Sequence, residues 1–344
     1  MRPVRLDHRA AMDTRGRALR DLRISVTDRC NFRCTYCMPA DRFGPGHRFL
    51  SGDRVLEDDE TETIARAAVR LGVEKIRLTG GEPLLRRGIE GLVERLARIE
   101  GVADLALTTN GVHLARLAPA LAAAGLGRVT VSLDALDDET FGRMNGVGAR
   151  VAKVLEGLEA ADRAGLSPLK VNMVVRRGIN ESAIVPMAAR FRGTGVTLRY
   201  IEYMDVGETN GWRRDQVVPA AEILAAVERG VHPLEPAAPR HPGEVARRWR
   251  YCDGSGEIGI VASVTEPFCG SCTRARVSTD GMLYTCLFAS TGHDLRAALR
   301  AGGEEGVLRL LKAIWSRRDD RYSELRGKGA PPPAPKVEMS RVGG

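Results

Sequence analysis

The hydrophobic positions of the chain fall into two alternating kinds of segment from residue 22 onward. Short runs rich in β-branched residues alternate with longer runs that have helical periodicity, which implies parallel strands joined by crossover helices. Six strands are predicted, at 22–27, 75–80, 104–111, 128–135, 169–175 and 197–205.

Helical periodicity is clear in the segment between the fourth and fifth predicted strands. Val151, Val154, Leu155 and Leu158 follow the i, i+3, i+4, i+7 spacing, and Gly165 supplies a stop. The alternation fits either a doubly wound sheet or a partial α/β barrel. In both architectures, functional residues gather at the carboxyl ends of the strands.

The pattern changes after about residue 215, where a Pro-rich stretch at 232–244 interrupts the alternation. We therefore predict a core at 21–215 and a smaller C-terminal module at 216–327. Residues 1–20 are basic and lack the apolar stretch of a secretory signal, so they are interpreted as a flexible leader. Residues 328–344 are interpreted as a flexible tail that ends in Gly-Gly.

Two groups of three cysteines account for six of the seven cysteines. This grouping is typical of metal ligands in a reducing cytoplasm and not of a disulfide framework. The first group, Cys30, Cys34 and Cys37, follows the first predicted strand. Three thiolates can hold three irons of a four-iron cluster and leave the fourth iron open, whereas a zinc site would need a further ligand such as His47.

The second group has the spacing C-x-x-C-x13-C and consists of Cys269, Cys272 and Cys286. It again supplies only three thiolates, which predicts a second open cluster. The isolated Cys252 leaves an alternative, because four cysteines would complete a structural zinc site.

A formal net charge of +8 and a pI near 9.3 favour an anionic partner. Arg274 and Arg276 follow the second cysteine pair directly, and in an extended strand their side chains point to one side. Planar guanidinium groups suit a polyphosphate, although solvated surface arginines are the simpler interpretation for most basic residues. Charges inside strands need a partner. These strand-borne charges are Arg23, Arg77, Lys170 and Arg199, with Lys75 at a strand start.

Nucleic acid and membrane partners are not expected. The basic residues do not gather in one run, and the sequence has no apolar run of the ~20 residues that a membrane span needs. A zinc-stapled nucleic-acid-binding protein remains the alternative from a different functional class, and it would bind zinc and not iron.

The stretches RCNFRCTYC at 29–37 and LTGGEP at 78–83 resemble the radical S-adenosylmethionine (SAM) enzymes. The resemblance implies that Cys30, Cys34 and Cys37 hold a [4Fe-4S] cluster whose open iron chelates SAM, and that reductive cleavage gives a 5′-deoxyadenosyl radical. The positions that match SAM contacts in this family are Tyr36, Gly81, Ser132 and Met204.

The second cysteine group with TRAR directly after its first pair resembles the GTP 3′,8-cyclases of molybdenum cofactor biosynthesis, over residues 22 to about 296. This implies a partial (β/α)6 TIM-type barrel and a smaller C-terminal module, in which Cys269, Cys272 and Cys286 hold a second [4Fe-4S] cluster. Arg274 and Arg276 are implied to be catalytic together with the first three cysteines. The implied GTP contacts are Arg23, Arg77, Thr108, Lys170, Arg199, Arg274, Ala275 and Arg276.

The resemblance also implies the reaction and its partners. A cytoplasmic lyase would convert GTP to (8S)-3′,8-cyclo-7,8-dihydroguanosine 5′-triphosphate, take electrons from a flavodoxin or ferredoxin, and pass its product to cyclic pyranopterin monophosphate synthase. The Gly-Gly tail would reach into the active site. A monomer and a homodimer both remain open, as does a radical SAM peptide-maturing enzyme, which usually carries more cysteines in its C-terminal half.

Overall fold

The computed structural model of the protein describes residues 10–241, 243–328 and 335–343. Within these ranges, twelve strands form one sheet in the order β12-β11-β10-β1-β2-β3-β4-β5-β6-β9-β8-β7. The strands are β1 Asp21–Ser25, β2 Lys75–Thr79, β3 Asp104–Thr109, β4 Arg128–Ser132, β5 Lys170–Val175, β6 Thr197–Glu202, β7 Leu234–Ala237, β8 Arg247–Tyr251, β9 Glu257–Val261, β10 Arg274–Val277, β11 Met282–Tyr284 and β12 His293–Asp294.

Helices connect the first six strands and continue to the end of the described chain. They are α1 Asp58–Val69, α2 Ile89–Ala97, α3 Leu114–Ala123, α4 Asp138–Asn145, α5 Val151–Arg163, α6 Ile184–Phe191, α7 Ala220–Gly230, α8 Leu295–Ser316, α9 Tyr322–Gly327 and α10 Met339–Val342. The predicted amphipathic helix is α5, which buries Val154 and Leu158, and Gly165 takes a positive φ of 77° just beyond its end. None of the helices in the described ranges combines the length and the apolar character needed to cross a bilayer.

The six predicted β/α units are confirmed, because β1 to β6 are consecutive and parallel. Strands β10 and β9 then pair in parallel with the two edges of this unit, β1 and β6. The remaining four strands extend the edges in antiparallel pairs. The sheet therefore runs through the predicted boundary near residue 215, and the C-terminal part completes both edges of the partial barrel.

The strands alternate between apolar and polar side chains, and the two faces have different neighbours. Leu22 and Ile24 of β1 are buried in the hydrophobic core, whereas Arg23 between them lines a central cavity. Arg199 on β6 and Arg274 on β10 line the same cavity. Because strands from both edges of the sheet contribute to one cavity, the sheet curves around it, as a partial barrel requires.

The N-terminal segment differs from the prediction of a flexible leader. Residues 10–20 form an antiparallel bridge between Met12 and Ala18, and Leu19 and Arg17 are buried. The reason is that Arg17 finds a carboxylate partner at Asp13, which the basic composition of the segment does not reveal. Residues 1–9 lie outside the described residues, as do 329–334 and Gly344 of the predicted tail.

Candidate active site

The inside of the curved sheet encloses a cavity of about 480 Å³, and both cysteine groups contribute to its wall. Cys30, Cys34 and Cys37 lie in the loop after β1, at the carboxyl ends of the parallel strands. Cys272 precedes β10, which runs parallel to β1, so the second group lies toward the amino ends. The cavity thus joins two thiol groups located at opposite ends of the barrel.

The loop that carries the first cysteine group is folded by its own backbone. The N–H groups of Cys37 and Met38 donate to the carbonyl of Cys34 over 3.0 and 2.9 Å, and the guanidinium of Arg33 donates to the carbonyl of Cys30 over 2.8 Å. Burial raises the pKa of Cys30 to about 11 and raises those of Cys34 and Cys37 well above their usual range. Three neutral thiols on one loop are suited to receive positive charge from a metal centre, which would make them thiolates.

The alternative ligands do not line the cavity together with the cysteine groups. His47 is exposed and lies between the rings of Phe43 and Phe49, with ring centroids 4.7 Å from each. Cys252 is exposed in the turn between β8 and β9, where its N–H donates to the carbonyl of Pro233. Within the described ranges, no group of three His, Cys, Asp or Glu side chains is arranged to hold a metal ion. The fit of the cysteines to clusters therefore rests on their shared loops, their thiol chemistry and the cavity that they line.

The GGEP loop packs tightly against the first cysteine loop. The N–H of Gly81 donates to the carbonyl of Thr27 over 2.7 Å, and a Cβ at Gly81 would lie 2.6 Å from the carbonyl carbon of Arg29. Only glycine allows this approach. Glu82 is fully buried and accepts bonds from Thr109 Oγ1 and the N–H of Asn110, each over 2.7 Å, while burial raises its pKa to about 7.

The other predicted SAM contacts lie at the same end of the cavity. Ser132 ends β4, and Met204 follows β6; both line the cavity. Tyr36 donates its hydroxyl to Asp134 Oδ2 over 3.0 Å. Asp134 also accepts from the N–H of Val174, and burial raises its pKa to about 7. The sequence analysis did not single out Asp134 or Glu82, although Glu82 lies within the LTGGEP stretch and Asp134 within the strand predicted at 128–135.

Strand register places three arginines side by side on the cavity wall. Arg23 on β1 is the direct neighbour of Arg276 on β10 and of Arg77 on β2. Adjacent strands are about 4.8 Å apart, and like charges on directly opposed positions repel each other. Buried Nε atoms of Arg23, Arg77 and Arg274 have no hydrogen-bond partner among the described residues. The arrangement calls for an anion between these strands.

The lowered pKa values of the basic residues in the cavity wall also indicate that an anion binds there. Burial, followed by repulsion from neighbouring arginines, lowers the pKa of Arg77 to about 9, of Arg199 to about 10 and of Lys170 to about 7. Burial likewise lowers the pKa of Arg276 to about 9 and of Lys75 to about 8. A bound polyanion would reverse these shifts by favouring the charged forms.

Most predicted GTP contacts reach this region, but one does not. Thr108 lines the cavity and accepts a bond from Arg77 Nη1 over 2.9 Å. Arg199 Nε donates to Asn172 Oδ1 over 2.9 Å. The side chain of Ala275, in contrast, faces the hydrophobic core, because it alternates with its two arginine neighbours along β10.

At the starts of the barrel strands, the sequence analysis missed three charged residues of the cavity wall: Asp21, Asp104 and Arg128. Asp104 and Arg128 form an ion pair in which Arg128 Nε lies 2.8 Å from Asp104 Oδ1. Each of the three is the first residue of its strand, as Lys75 and Lys170 are. A charged first residue on five successive barrel strands is the signal that would have found them.

The second cysteine group lies beside two arginines. Arg274 Nη2 donates to Cys272 Sγ over 3.3 Å, and its guanidinium lies 5.2 Å from the ring centroid of Phe268. Burial opposes ionisation of Cys272, but the charges of Arg274 and Arg318 outweigh it and lower the pKa of this thiol to about 6. One thiol of the group is therefore poised to act as a thiolate ligand.

The C-terminal segment 335–343 differs from the prediction of a flexible tail, because it forms α10, buries Val342 and reaches the cavity wall. Arg276 Nε donates to the carbonyl of Gly343 over 3.4 Å, and a Cβ at Gly343 would lie 2.8 Å from Thr79 Cβ. The segment is anchored at Lys336, whose Nζ donates to Asp205 Oδ2 over 2.8 Å. Gly344 lies outside the described residues.

Comparison with known proteins gives two family matches that together span most of the chain. The Radical SAM superfamily matches residues 24–191, and the family Molybdenum Cofactor Synthesis C matches residues 196–324. A GTP 3′,8-cyclase of Xanthomonas axonopodis pv. citri is 54% identical over 332 residues, which cover 96% of this chain and 98% of that protein. A GTP 3′,8-cyclase of Acidothermus cellulolyticus is 50% identical over 357 residues, with 96% and 98% covered.

A solved structure supports the fold. The crystal structure of Streptococcus suis SuiB bound to S-adenosylmethionine aligns with a TM-score of 0.62 and 13% identity, covering 90% of this chain and 68% of that one. At this identity the similarity concerns the fold alone.

Proposed function

Because this chain belongs to the GTP 3′,8-cyclase family of radical SAM enzymes, we infer that its cavity converts GTP to (8S)-3′,8-cyclo-7,8-dihydroguanosine 5′-triphosphate. This lyase reaction serves molybdenum cofactor biosynthesis. The observation that carries the inference is one cavity that joins a three-thiol loop to a layer of buried cations. A cavity of this size is within the range of small-molecule sites.

The carboxyl end of the barrel is the site for a [4Fe-4S] cluster and SAM. We assign Cys30, Cys34 and Cys37 as the cluster ligands. When bound, the cluster and SAM supply the radical that starts the reaction at the ribose. The residues assigned to hold SAM beside it are Tyr36, Gly81, Ser132 and Met204.

The amino end is assigned to GTP and to a second [4Fe-4S] cluster held by Cys269, Cys272 and Cys286. Arg23, Arg77 and Arg276 would bind the triphosphate, because their neighbouring positions on adjacent strands match a chain of phosphate oxygens. The other residues assigned to GTP are Thr108, Lys170, Arg199 and Arg274, with Ala275 able to contribute only through its backbone.

The partners of the reaction follow from its chemistry. Reductive cleavage requires an electron donor, for which we propose a flavodoxin or ferredoxin. The product would pass to cyclic pyranopterin monophosphate synthase in the cytoplasm. A homodimer is the oligomer that we would test first.

The test of the function is an anaerobic assay of the iron- and sulfide-reconstituted, reduced protein with SAM. We expect 5′-deoxyadenosine to form much faster with GTP than with ATP, and GTP to be consumed. Cleavage that is indifferent to GTP would contradict the proposed substrate and return the peptide-maturing alternative. An absence of cleavage by iron-loaded protein would contradict the radical SAM assignment.

GTP affinity is expected to fall as the pH rises above about 7. Burial lowers the folded-state pKa of Lys170 from its ordinary 10.5 to about 7, so this lysine is largely neutral at pH 8.5 in the free protein. Triphosphate binding favours the charged form, so binding must take up a proton. Isothermal titration calorimetry between pH 7 and 9, in buffers of different ionisation enthalpy, measures both the affinity and the proton uptake.

The matched control is Lys170→Arg, whose guanidinium stays charged across this range. It should bind GTP with a flatter pH profile, and an unchanged slope would contradict the assignment. The stability of the protein without GTP should change with pH in the opposite direction to the GTP affinity. Between pH 7 and 10 the unfolded chain binds a proton at this lysine that the folded chain lacks, so the contribution of Lys170 to the free energy of unfolding rises with pH.

Release of the C-terminal segment is expected from Lys336→Met. Lys336 Nζ donates to both the carboxylate and the carbonyl of Asp205, over 2.8 and 2.9 Å. A bond to a charged group contributes about 1.5–3 kcal/mol, so the docking equilibrium should fall by a factor on the order of 10 to 100. Hydrogen exchange of residues 335–343, followed by mass spectrometry, measures this change.

The exposed Lys328 provides the control for this change. Lys328→Met should exchange as the unmodified protein does. Equal protection of the segment in Lys336→Met would show that the anchor lies elsewhere.

A further inference from the structure

A buried ion cluster lies behind the second cysteine group, and the proposed chemistry leaves it without a role. It consists of Asp13, Arg17 and Arg318, whose side chains are 0%, 2% and 1% exposed. Asp13 Oδ2 accepts from Arg17 Nε over 2.6 Å and from Arg318 Nη1 over 3.0 Å. We call these residues the Asp13–Arg17–Arg318 cluster. It joins the N-terminal segment to the chain that follows α8.

The cluster contacts the backbone at or beside every cysteine of the second group. Arg17 Nη1 donates to the carbonyl of Cys269 over 2.8 Å, and Arg318 Nη1 donates to the carbonyl of Cys272 over 2.9 Å. Arg318 Nε donates to the carbonyl of Thr285, the residue before Cys286, over 3.1 Å. Two guanidinium groups therefore fix three separate points of the backbone that carries the thiols.

The guanidinium groups are themselves held in place. Trp315 Nε1 donates to the carbonyl of Arg17 over 3.1 Å, and the Arg318 guanidinium lies 4.5 Å from the Trp315 ring centroid. Arg17 Nη1 also donates to the carbonyl of Asp320 over 2.7 Å. Arginine suits this task because its donors are arranged in a rigid plane.

The charges of the cluster point to a ligand and not to packing alone. Two buried guanidinium groups share the buried carboxylate of Asp13, and the carboxylate of Asp320, which is partly exposed to solvent, pairs with only one of them, through Arg318 Nε. The buried part of the cluster therefore carries more positive than negative charge, and buried positive charge is unfavourable unless a further negative group lies nearby. An iron-sulfur cluster held by three thiolates is such a group, and nearby positive charge and hydrogen bonds raise its reduction potential.

We propose that the Asp13–Arg17–Arg318 cluster positions the three cysteine segments of the second iron-sulfur centre and tunes its reduction potential. The N-terminal segment is then a structural part of that centre. The proposal rests on the second [4Fe-4S] cluster of the proposed function, and it assigns these three residues a positioning role, since their two guanidinium groups bond to the backbone of the segments that carry the ligands.

The test uses the full chain with Arg318→Gln and, as a milder change, Asp13→Asn. The unmodified protein should hold about eight irons, four in each cluster. We expect each variant to lose second-cluster iron to a chelator at least tenfold faster. Arg318→Gln removes a positive charge and should shift the potential of that cluster downward, whereas Asp13→Asn removes a negative charge and should shift it upward. SAM cleavage in the absence of GTP should persist, because the first cysteine loop lies at the other end of the barrel.

Two control variants distinguish a specific effect on the second cluster from a general one. Arg20→Gln changes an exposed arginine of the same segment and should behave as the unmodified protein. A variant with Cys269, Cys272 and Cys286 all replaced by alanine defines the signal of the first cluster alone. Chelation rate and potential that match the unmodified protein in Asp13→Asn and Arg318→Gln would overturn the positioning role while leaving the proposed function intact.

Two other results would also overturn the proposal. Equal loss of both clusters in the variants would show that the ion cluster supports the whole fold. About four irons in the unmodified protein, with the same signal as the triple-cysteine variant, would remove the second cluster from the proposed function and the positioning role with it.

Discussion

Replacing Cys30 with alanine is expected to reduce SAM cleavage to background. Cys30 lies in the cavity wall with Cys34 and Cys37, on a loop that supplies three thiols. Two thiolates cannot hold the three irons that leave a fourth one open, so the site for SAM is lost with the ligand. The measurement is anaerobic formation of 5′-deoxyadenosine by reconstituted, reduced protein.

The chain supplies a matched control for this change. Cys252 is exposed in a turn of the sheet edge, and Cys252→Ala should cleave SAM as the unmodified protein does. Loss of cleavage in the control would indicate general damage from removing a cysteine. Normal cleavage in Cys30→Ala would remove the first cysteine group from its assigned role, and the chemistry would then have to be sought at the second group.

Replacing Arg274 and Arg276 together with methionine is expected to weaken GTP binding by a factor on the order of 10² to 10⁴. Each charge-assisted bond to a phosphate contributes about 1.5–3 kcal/mol, and 1.4 kcal/mol is tenfold in affinity. Both side chains line the cavity, and Arg276 is the strand neighbour of Arg23. SAM cleavage without GTP should continue, because the residues assigned to SAM lie at the other end of the barrel. Equilibrium binding of GTP and uncoupled cleavage measure the two effects separately.

The control for this pair is a double replacement of Arg309 and Arg317, which are exposed on or next to α8. It removes the same formal charge and should leave GTP affinity almost unchanged. Iron content must also be measured, because Arg274 donates to Cys272 Sγ. Unchanged GTP affinity in a fully iron-loaded Arg274→Met/Arg276→Met protein would locate the triphosphate elsewhere.

The strands and both cysteine loops were predictable because their signals are local. Alternation of strand and helix patterns gives parallel β/α units, and these units bring every strand-end motif to one edge of the sheet. The strands also carry a less obvious signal. Parallel strands covered on both faces are usually continuously apolar, yet DLRIS, KIRLT and RVTVS alternate charged or polar residues with apolar ones. Such alternation indicates that the inside of the barrel is polar and binds a charged ligand.

The N-terminal segment and the contacts between distant residues were not predictable in the same way. The interpretation of residues 1–20 as a flexible leader is wrong for residues 10–20, since Arg17 is fully buried there. Its partners, Cys269 and Asp320, lie 252 and 303 positions further along the chain. No periodicity or motif spans such a separation, so the sequence alone could not distinguish Arg17 from a solvated arginine. The pairing of β9 and β10 with the edges of the sheet was missed for the same reason.

These long separations determine when the protein becomes able to carry its second metal centre. Arg318 reaches Asp13 across 305 positions, and β10 pairs with β1 at the edge of the sheet. A growing chain on the ribosome can complete its six β/α units early, because domains fold from the N-terminus as they emerge. It cannot form the second cysteine site until residues beyond α8 have been synthesised. We therefore expect iron to enter that site only after the residues beyond α8 have left the ribosome, in a late and slow folding step governed by distant contacts.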